Sequence, residues 1–227
     1  MKKQVIVISL GGSIIIPDKV NYSFLNKFRE VINKNLKKYK FIIVCGGGSL
    51  ARKYIEALSK QSYIFQSSAG IAATRANAKF VSCFFNQDPL HQIPITLKKI
   101  KKLIKRNDLV ISGALEFKPK QTTDSNAVEI AAFFHAPFVN LTNVQGLYDK
   151  NPKEYKDVKF ISKISWKDMH KMATKLSFKP GQHFVIDQVS SKILMDKKVP
   201  AYIMGLNLKN FDNFLKSKKF KGTTIQG

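Results

Sequence analysis

Two stretches of this sequence, VIVISLGGS at residues 5–13 and FIIVCGGGS at residues 41–49, decide its fold. Each is an apolar run of strand length that ends in two or three glycines and a serine. Such runs are typical of strands that are buried on both faces of a parallel sheet. Glycines directly after a strand let backbone N–H groups approach an anion, because no Cβ atom stands in the way. The pair therefore predicts two strand–turn units that together bind a ligand with several phosphates.

Strand-length apolar runs alternate with helical segments along the rest of the chain. The further runs are residues 109–111, 138–141 and 201–204. Apolar residues at helical spacing lie between the runs, on one face made of Phe24, Phe28, Val31 and Ile32 and on another made of Val185, Val189 and Ile193. This α/β alternation predicts a three-layer α-β-α sandwich with a mainly parallel central sheet, folded as a single domain over residues 1–227. Ligands are expected at the carboxyl ends of the strands.

The charge of the chain is strongly positive. Its 39 lysines and arginines against 15 aspartates and glutamates give a formal net charge of +24, which attracts polyanions whatever the fold. Only 4 of the basic residues are arginines, although arginine is better suited to bind phosphates and guanines through two hydrogen bonds. The lysines are spread along the chain with few aromatic residues among them. We therefore expect a solvated basic surface that binds nucleic acid only non-specifically, if at all.

Hydropathy and cysteine content indicate the compartment. No apolar run approaches the roughly 20 residues that span a bilayer, and the first lysines lead into a strand without a cleavage site. We therefore expect a soluble, cytoplasmic protein that makes no membrane contact. Cys45 and Cys83 each lie in an apolar segment, which predicts buried, reduced thiols. A single disulfide bridge between them is the alternative.

Two further polar segments follow predicted strands. Residues 118–124, KPKQTTD, offer two lysines and two hydroxyls to a phosphate, or a helix N-cap at Thr122, Thr123 or Asp124. Residues 141–152, LTNVQGLYDKNP, place Tyr148 after a turn, where its ring either stacks on a base or packs against the protein. No P-loop motif is present, and neither glycine turn matches the Rossmann pattern G-x-G-x-x-G. Taken singly, each glycine turn is equally well explained as a tight strand-to-helix connection.

In this order and spacing, the segments resemble the amino acid kinase superfamily, and most closely its archaeal-type uridylate (UMP) kinases. The resemblance covers nearly the whole chain and rests on the joint order of motifs that are individually weak. They are VIVISLGGS at 5–13, GGGSLARKYI at 46–55, GI at 70–71, TRANA at 74–78, TTD at 122–124, LTNV at 141–144, GLY at 146–148, GQHFVID at 181–187 and GTTI at 222–225. Many superfamily members carry a lysine at the position of Ser9, and archaeal-type UMP kinases often lack it.

The resemblance implies a hexameric cytoplasmic enzyme of pyrimidine biosynthesis that transfers the γ-phosphate of ATP to UMP, with Mg²⁺. For the transferred group, motif position assigns Gly12, Gly48 and Arg52. For ATP, it assigns Gly11, Gly12, Ser13, Gly48, Arg52, Thr142, Asn143, Tyr148 and Asn151. For the acceptor, it assigns Gly47, Ser67, Gly70, Arg75, Lys118, Lys120, Gln121, Thr122, Thr123 and Asp124. The acceptor thus belongs to the N-terminal part of the domain, and the nucleotide to the part from about residue 140.

Four positions depart from the pattern of this family. Ser67 replaces an aspartate that binds the UMP ribose, and Lys120 replaces a glycine of the acceptor loop. Gln145 and Asn151 each replace an aspartate on the ATP side. At Ser67 the lost carboxylate removes a charge-assisted hydrogen bond of about 1.5–3 kcal/mol, which relaxes selectivity for the nucleoside.

The implied chemistry needs few specialised side chains. The attacking oxygen belongs to a phosphate that is already ionised, so catalysis consists of positioning and electrostatic stabilisation. We expect Mg²⁺ to bridge ATP oxygens without a protein metal site, and the four histidines show no metal-binding spacing. Two alternatives stay open at this stage. One is a nucleotide-binding protein of the same fold that is inactive or uses a different phosphorylated acceptor, and the other is a basic polyanion-binding protein.

Overall fold

The computed structural model describes residues 3–119, 121–150, 152, 154–175 and 185–227. In chain order the strands are β1 (Gln4–Leu10), β2 (Tyr39–Cys45), β3 (Leu109–Ser112), β4 (Phe138–Leu141), β5 (Leu147–Tyr148), β6 (Phe160–Ile161), β7 (Lys163–Ile164), β8 (Ala201–Met204) and β9 (Thr223–Ile225). The helices are α1 (Gly12–Ile15), α2 (Tyr22–Asn35), α3 (Gly48–Ala57), α4 (Tyr63–Phe84), α5 (Leu97–Arg106), α6 (Thr123–Phe134), α7 (Trp166–Thr174), α8 (Gln188–Lys197) and α9 (Leu208–Leu215).

Seven strands form one sheet in the order β3-β2-β1-β4-β8-β9-β7. The strands from β3 to β8 run parallel to their neighbours, β9 is antiparallel to β8, and β7 is parallel to β9. β5 and β6 form a separate antiparallel pair. In the central register Leu10 pairs with both Cys45 and Leu141. The carboxyl ends of β1, β2 and β4 are therefore level, and the segments that follow them meet at one edge.

Each face of the sheet is covered by a layer of helices. On one face, Ile6, Ile8 and Leu10 of β1 pack into a core with residues of α1, α2, α4 and α9. On the other, Val7 packs with residues of α5, α6, α7 and α8. Alternate residues of β1 thus enter opposite cores, which is why its whole run is apolar. The result confirms the predicted α-β-α sandwich with a mainly parallel sheet.

Several local predictions are also confirmed. The five predicted strands fall within β1, β2, β3, β4 and β8. The apolar face of Phe24, Phe28 and Ile32 is buried on α2, whose first turn is capped by Asn21. α5 buries Ile100 and Ile104, and its six lysines and arginines lie on its partly to fully exposed positions, as expected for a solvated basic face. Across the described residues, no helix has the length and apolarity needed to cross a membrane.

Three predictions about local structure were wrong. Val185 is not part of a helical face, because Asp187 caps α8 and the helix begins only at Gln188. Cys83 is exposed, because it faces outward on α4 between positions that turn toward the core. Neither cysteine forms a disulfide, and burial raises the pKa of the Cys45 thiol. The sequence predicts that a helix opens at Leu50 after the second glycine turn, whereas α3 begins two residues earlier, at Gly48.

Candidate active site

A cavity of about 940 Å³ opens where the carboxyl ends of β1, β2 and β4 meet. This is the edge at which the strand order and the parallel sheet predict a ligand. The residues of the sequence assignment that line the cavity are Gly11, Gly12, Ser13, Gly47, Gly48, Arg52, Thr122, Thr123, Asp124, Thr142, Asn143 and Tyr148. The fold therefore brings together segments that lie more than 130 residues apart in the chain.

The two glycine turns touch each other through their backbones. A Cβ atom added to Gly12 would lie 2.0 Å from the Gly48 nitrogen and 2.6 Å from the Gly46 carbonyl carbon. Gly48 itself has a φ of +61°, a left-handed conformation that side chains rarely adopt, and its Cβ would lie 2.4 Å from the Gly12 carbonyl oxygen. Both positions thus require glycine, for space at Gly12 and for space and backbone conformation at Gly48.

A buried amide fixes the second turn in place. The Nδ2 group of Asn77, on α4, donates to the carbonyl oxygens of Gly46 at 2.7 Å and Gly47 at 3.1 Å. These bonds engage the carbonyl side of the turn. The first N–H groups of α3, which starts at Gly48, have no carbonyl partner within the helix. With the positive end of the helix dipole, they make the start of α3 a favourable place for a phosphate.

Arg52 lies one turn into α3 and lines the same cavity. Its side chain is exposed, and within the described part of the chain no hydrogen bond or ion pair occupies its guanidinium. An arginine without a protein partner can place two N–H groups on a phosphate. Arg52 therefore adds an exposed cation to the amides at the start of α3.

A hydrogen-bonded network of hydroxyls and carboxyls lies across the cavity from Arg52. The Ser9 hydroxyl, at the end of β1, donates to Oδ1 of Asp124 at 2.6 Å. Thr122 caps α6 through a capping box with Ser125, and its hydroxyl donates to Oδ2 of Asp187 at 2.6 Å. Of the three N-cap candidates on α6, Thr122 is thus the cap, and Asp187 caps α8. The network ties β1, α6 and α8 together.

The carboxyl group of Asp124 has an unusually high pKa. Burial raises the pKa of its carboxyl from 3.8 to about 7, against the lowering effect of the Ser9 hydrogen bond, and the negative charge of Asp187 raises it further. Although part of the residue faces the cavity, the protein encloses the carboxyl group closely enough for desolvation to dominate. Near neutral pH Asp124 therefore exchanges a proton readily.

We expect Asp124 to make the stability of the protein depend on pH. Between the unfolded pKa of 3.8 and the folded pKa of about 7, folding takes up a proton, so this stabilisation is complete below about pH 4 and is lost as the pH rises toward 7. Relative to Asp124→Asn, the unfolding free energy of the wild type should fall by at most about 1.4 kcal/mol per pH unit.

Urea unfolding of both proteins at several pH values measures this difference. The asparagine keeps an oxygen to accept from Ser9 and cannot ionise, so it serves as the neutral reference. Unfolding free energies that change in parallel with pH would show that Asp124 has an ordinary pKa.

The far side of the cavity is suited to a nucleoside. Thr142 and Asn143 follow β4, and Tyr148 lies on β5, where its ring contacts the ring of Phe160 edge-on with centroids 5.3 Å apart. The half-buried Tyr148 therefore both packs against the protein and faces the cavity. Asn140 also lines this side, and its Nδ2 group donates to the Val185 carbonyl at 2.7 Å. Motif position did not assign Asn140 to the site. The sequence signal that could have indicated it is an asparagine inside a buried strand.

Five of the acceptor residues assigned from sequence do not line the cavity. Ser67 and Gly70 are half-buried on α4. Arg75 is engaged with the carbonyl oxygens of Ala114 and Leu115, at 3.1 and 2.8 Å. The remaining two, Lys118 and Gln121, both bond to the carboxylate of Glu129. Lys120, Asn151 and the first four residues of the motif at 181–187 lie outside the described residues.

The described ranges contain no group of three or more histidine, cysteine, aspartate or glutamate side chains that could hold a metal ion. Among the carboxylates that line the cavity, Asp124 and Asp187 are held by the hydroxyl network. Their oxygens are of the type that Mg²⁺ prefers, but they are too few for a protein cage. This donor set fits an ion whose other ligands come from phosphates and water.

Comparisons with known proteins place these features in a family. The Amino acid kinase family matches residues 4–205. The uridylate kinase of Pyrococcus abyssi is 30% identical over 226 residues, covering 97% of this chain and 99% of that protein. The uridylate kinase of Methanocaldococcus jannaschii is 29% identical, with 98% and 99% covered.

A solved structure shows the same similarity in three dimensions. The crystal structure of uridylate kinase from Archaeoglobus fulgidus superposes with a TM-score of 0.84 at 28% identity, covering 98% of this chain and 99% of that one. UMP kinase from Ureaplasma parvum, at 22% identity and a TM-score of 0.80, shares the fold. Family match, full-length relatives and sheet topology agree, and the chain belongs to the amino acid kinase family.

Proposed function

We propose that this protein is a UMP kinase, an enzyme of pyrimidine nucleotide biosynthesis that transfers the γ-phosphate of ATP to UMP. The observation that carries the proposal is the backbone contact between the turns of Gly12 and Gly48 at the base of one cavity, beside the exposed Arg52. This contact supports a single anion site where two strands end. The full-length relatives named uridylate kinases support UMP as the acceptor.

We propose that donor and acceptor lie on opposite sides of this contact, within one domain. ATP would extend from Gly11, Gly12 and Ser13 toward the part of the chain from about residue 140, where Thr142, Asn143 and Tyr148 line the cavity. UMP would lie on the side of Gly47 and the polar segment that ends at Thr122, Thr123 and Asp124. The division places the transferred phosphoryl group at Gly12, Gly48 and Arg52.

In the reaction, an oxygen of the UMP phosphate forms a bond to the γ-phosphorus, and the bond from that phosphorus to the bridging oxygen of ADP breaks. The attacking oxygen is already ionised, and the bridging oxygen leaves as a phosphate oxyanion of ADP, so no side chain has to remove or supply a proton. The backbone N–H groups at Gly12 and Gly48 and the guanidinium of Arg52 would stabilise the charge that spreads over the transferred group. Because the backbone N–H groups are held in place before the substrates arrive, they need little reorganisation.

A bound Mg²⁺ would neutralise part of the charge of the phosphates. We propose that Asp124 and Asp187 contribute oxygen ligands to it, directly or through water.

The family resemblance also supports a homo-oligomer, a hexamer, in the cytoplasm, and we propose both for this protein. An exposed apolar group, Tyr54 on α3 and Tyr63, Ile64 and Phe65 at the start of α4, supports association. Single exposed apolar residues are ordinary, but several on two helices that are consecutive in the chain favour a protein interface.

A coupled assay of ADP formation tests the proposed activity. With ATP and Mg²⁺ present, we expect turnover with UMP, weaker turnover with CMP, and none with small phosphorylated metabolites that lack a base. Turnover only with another acceptor would point to altered specificity at Ser67, and ATP binding without transfer to any acceptor would point to an inactive nucleotide-binding protein. Nucleic-acid binding that depends steeply on salt, without affinity for free nucleotides, would favour the polyanion-binding alternative.

A further inference from the structure

The loop between β3 and α6 carries Lys118, Gln121 and Thr122, and the structure describes all of it except residue 120. It starts at the carboxyl end of β3 and ends at the N-cap of α6, whose hydroxyl lines the cavity. Under the proposed function this loop belongs to the acceptor side of the site. If this loop were disordered before UMP arrives, it would have to become ordered on binding, at an entropic cost.

The first part of the loop is fixed from α4 and α6. The side chain of Arg75 donates to the carbonyl oxygens of Ala114 and Leu115. The Leu115 N–H donates to Oδ1 of Asn126 at 3.0 Å, and the Ala114 N–H donates to the Thr74 hydroxyl at 2.9 Å. Both residues of this part are buried. It is thus part of the core and does not depend on any surface contact.

In the second part of the loop, one side chain binds two residues at once. Both carboxylate oxygens of Glu129, on α6, accept from loop residues, Oε1 from Nζ of Lys118 and Oε2 from Nε2 of Gln121 at 2.7 Å. Glu129 lies about 9 Å along the helix axis from Thr123, from a rise of roughly 1.5 Å per residue. It does not line the cavity. The contact therefore holds the loop from outside the cavity and does not occupy the position of a ligand.

The same carboxylate determines how the Gln121 amide is oriented. A carboxylate only accepts hydrogen bonds, so the NH₂ end of Gln121 must face Glu129. This leaves Oε1 of Gln121 buried and, within the described residues, without a hydrogen-bond partner. Without Glu129, nothing would hold the amide in this orientation.

We propose that Glu129 is a positioning residue for the acceptor: by binding Lys118 and Gln121 outside the cavity, it holds the loop so that the cavity-lining Thr122 receives the phosphate of UMP. The proposal rests on the proposed function. The ion pair is partly solvated, with 54% of the Lys118 side chain and 24% of the Glu129 side chain exposed. Pairs of this kind add little to global stability. The contact therefore orders the loop much more than it stabilises the fold.

The test is Glu129→Ala, with Glu129→Gln as a conservative variant that keeps one acceptor oxygen. We expect the KM for UMP to rise about tenfold in the alanine variant, because hydrogen bonds to a charged group are lost. The kcat and the KM for ATP should stay within about twofold of the wild-type values. The glutamine variant should lie between the two. Amide hydrogen exchange over residues 116–122 should be faster in Glu129→Ala, and the unfolding midpoint should not change.

Asp196→Ala is the matched control, because it removes a similarly exposed ion pair with Lys192 on α8. It should change neither the KM for UMP nor exchange in the loop. Unchanged exchange and KM in Glu129→Ala would overturn the proposal, and so would equal losses in kcat and stability, which would indicate a merely structural role. If the wild type transfers phosphate to no monophosphate, the proposed function fails, and hydrogen exchange alone decides whether Glu129 orders the loop.

Discussion

Replacing Gly12 with alanine should lower kcat/KM by at least about a hundredfold, because a misplacement of about 1 Å at a reacting centre has that effect. The added Cβ would meet Gly48 nitrogen at 2.0 Å and the Gly46 carbonyl oxygen at 2.6 Å. These are backbone atoms that no rotamer change can move. The two turns must therefore separate, at an expected loss of about 3 kcal/mol in the free energy of unfolding.

Gly11→Ala provides a control one residue away. Gly11 has φ −54° and ψ 132°, which alanine adopts easily, and its Cβ would find its nearest neighbours at 3.5 Å. Steady-state turnover and urea unfolding of the two variants measure the difference. A Gly12→Ala protein as stable as Gly11→Ala would contradict the requirement that the turns remain in contact.

Replacing Arg52 with alanine should lower kcat by about a thousandfold, the lower end of the effect of an arginine that stabilises phosphoryl transfer. The free energy of unfolding should change by less than about 0.5 kcal/mol, because the side chain is exposed and makes no hydrogen bond or ion pair with the described residues. Arg52→Lys should recover only part of the rate, because lysine presents a point charge without the planar pair of N–H groups.

Lys53→Ala is the matched control for Arg52. It removes an equal charge from the next position of α3, also exposed, but outside the cavity lining. Steady-state kinetics of both variants with UMP should separate a local role from a general effect of charge. A kcat for Arg52→Ala within about twofold of the Lys53→Ala value would remove Arg52 from the reaction.

The central part of the fold could be predicted from sequence because its signals are local. In β1 and β2 an apolar run is followed within the same segment by the glycines that end it, so strand and turn are read together. The parallel arrangement then places both turns at one edge of the sheet. The assignment of Gly12 and Gly48 to one cavity required no information about distant contacts.

Other features depend on contacts between distant residues. Ser9 and Asp124 are separated by 115 positions, and no pattern in either segment indicates their hydrogen bond. Arg75 belongs to the family motif at residues 74–78, but the direction of its side chain is set by carbonyl groups about 40 residues away in the sequence. The apolar spacing of Val185 with α8 was misleading, because an N-cap two residues later decides where that helix begins.

The acceptor loop shows both situations at once. Its polar composition indicated a phosphate-binding segment, and Thr122 was among the expected caps. Its cations were expected to face the ligand, whereas Lys118 pairs with Glu129 on the following helix. Sequence indicated the type of chemistry at this loop, and the tertiary structure determined which groups perform it.

The most direct test of the account is a crystal structure with a non-hydrolysable ATP analogue and UMP bound together. We expect oxygens of the γ-phosphate within about 3 Å of the N–H groups at Gly12 and Gly48, with Arg52 on the same group and the UMP phosphate beside Gly47. Phosphates bound elsewhere on the protein, or N–H groups of both turns paired with other protein atoms in the complex, would contradict it.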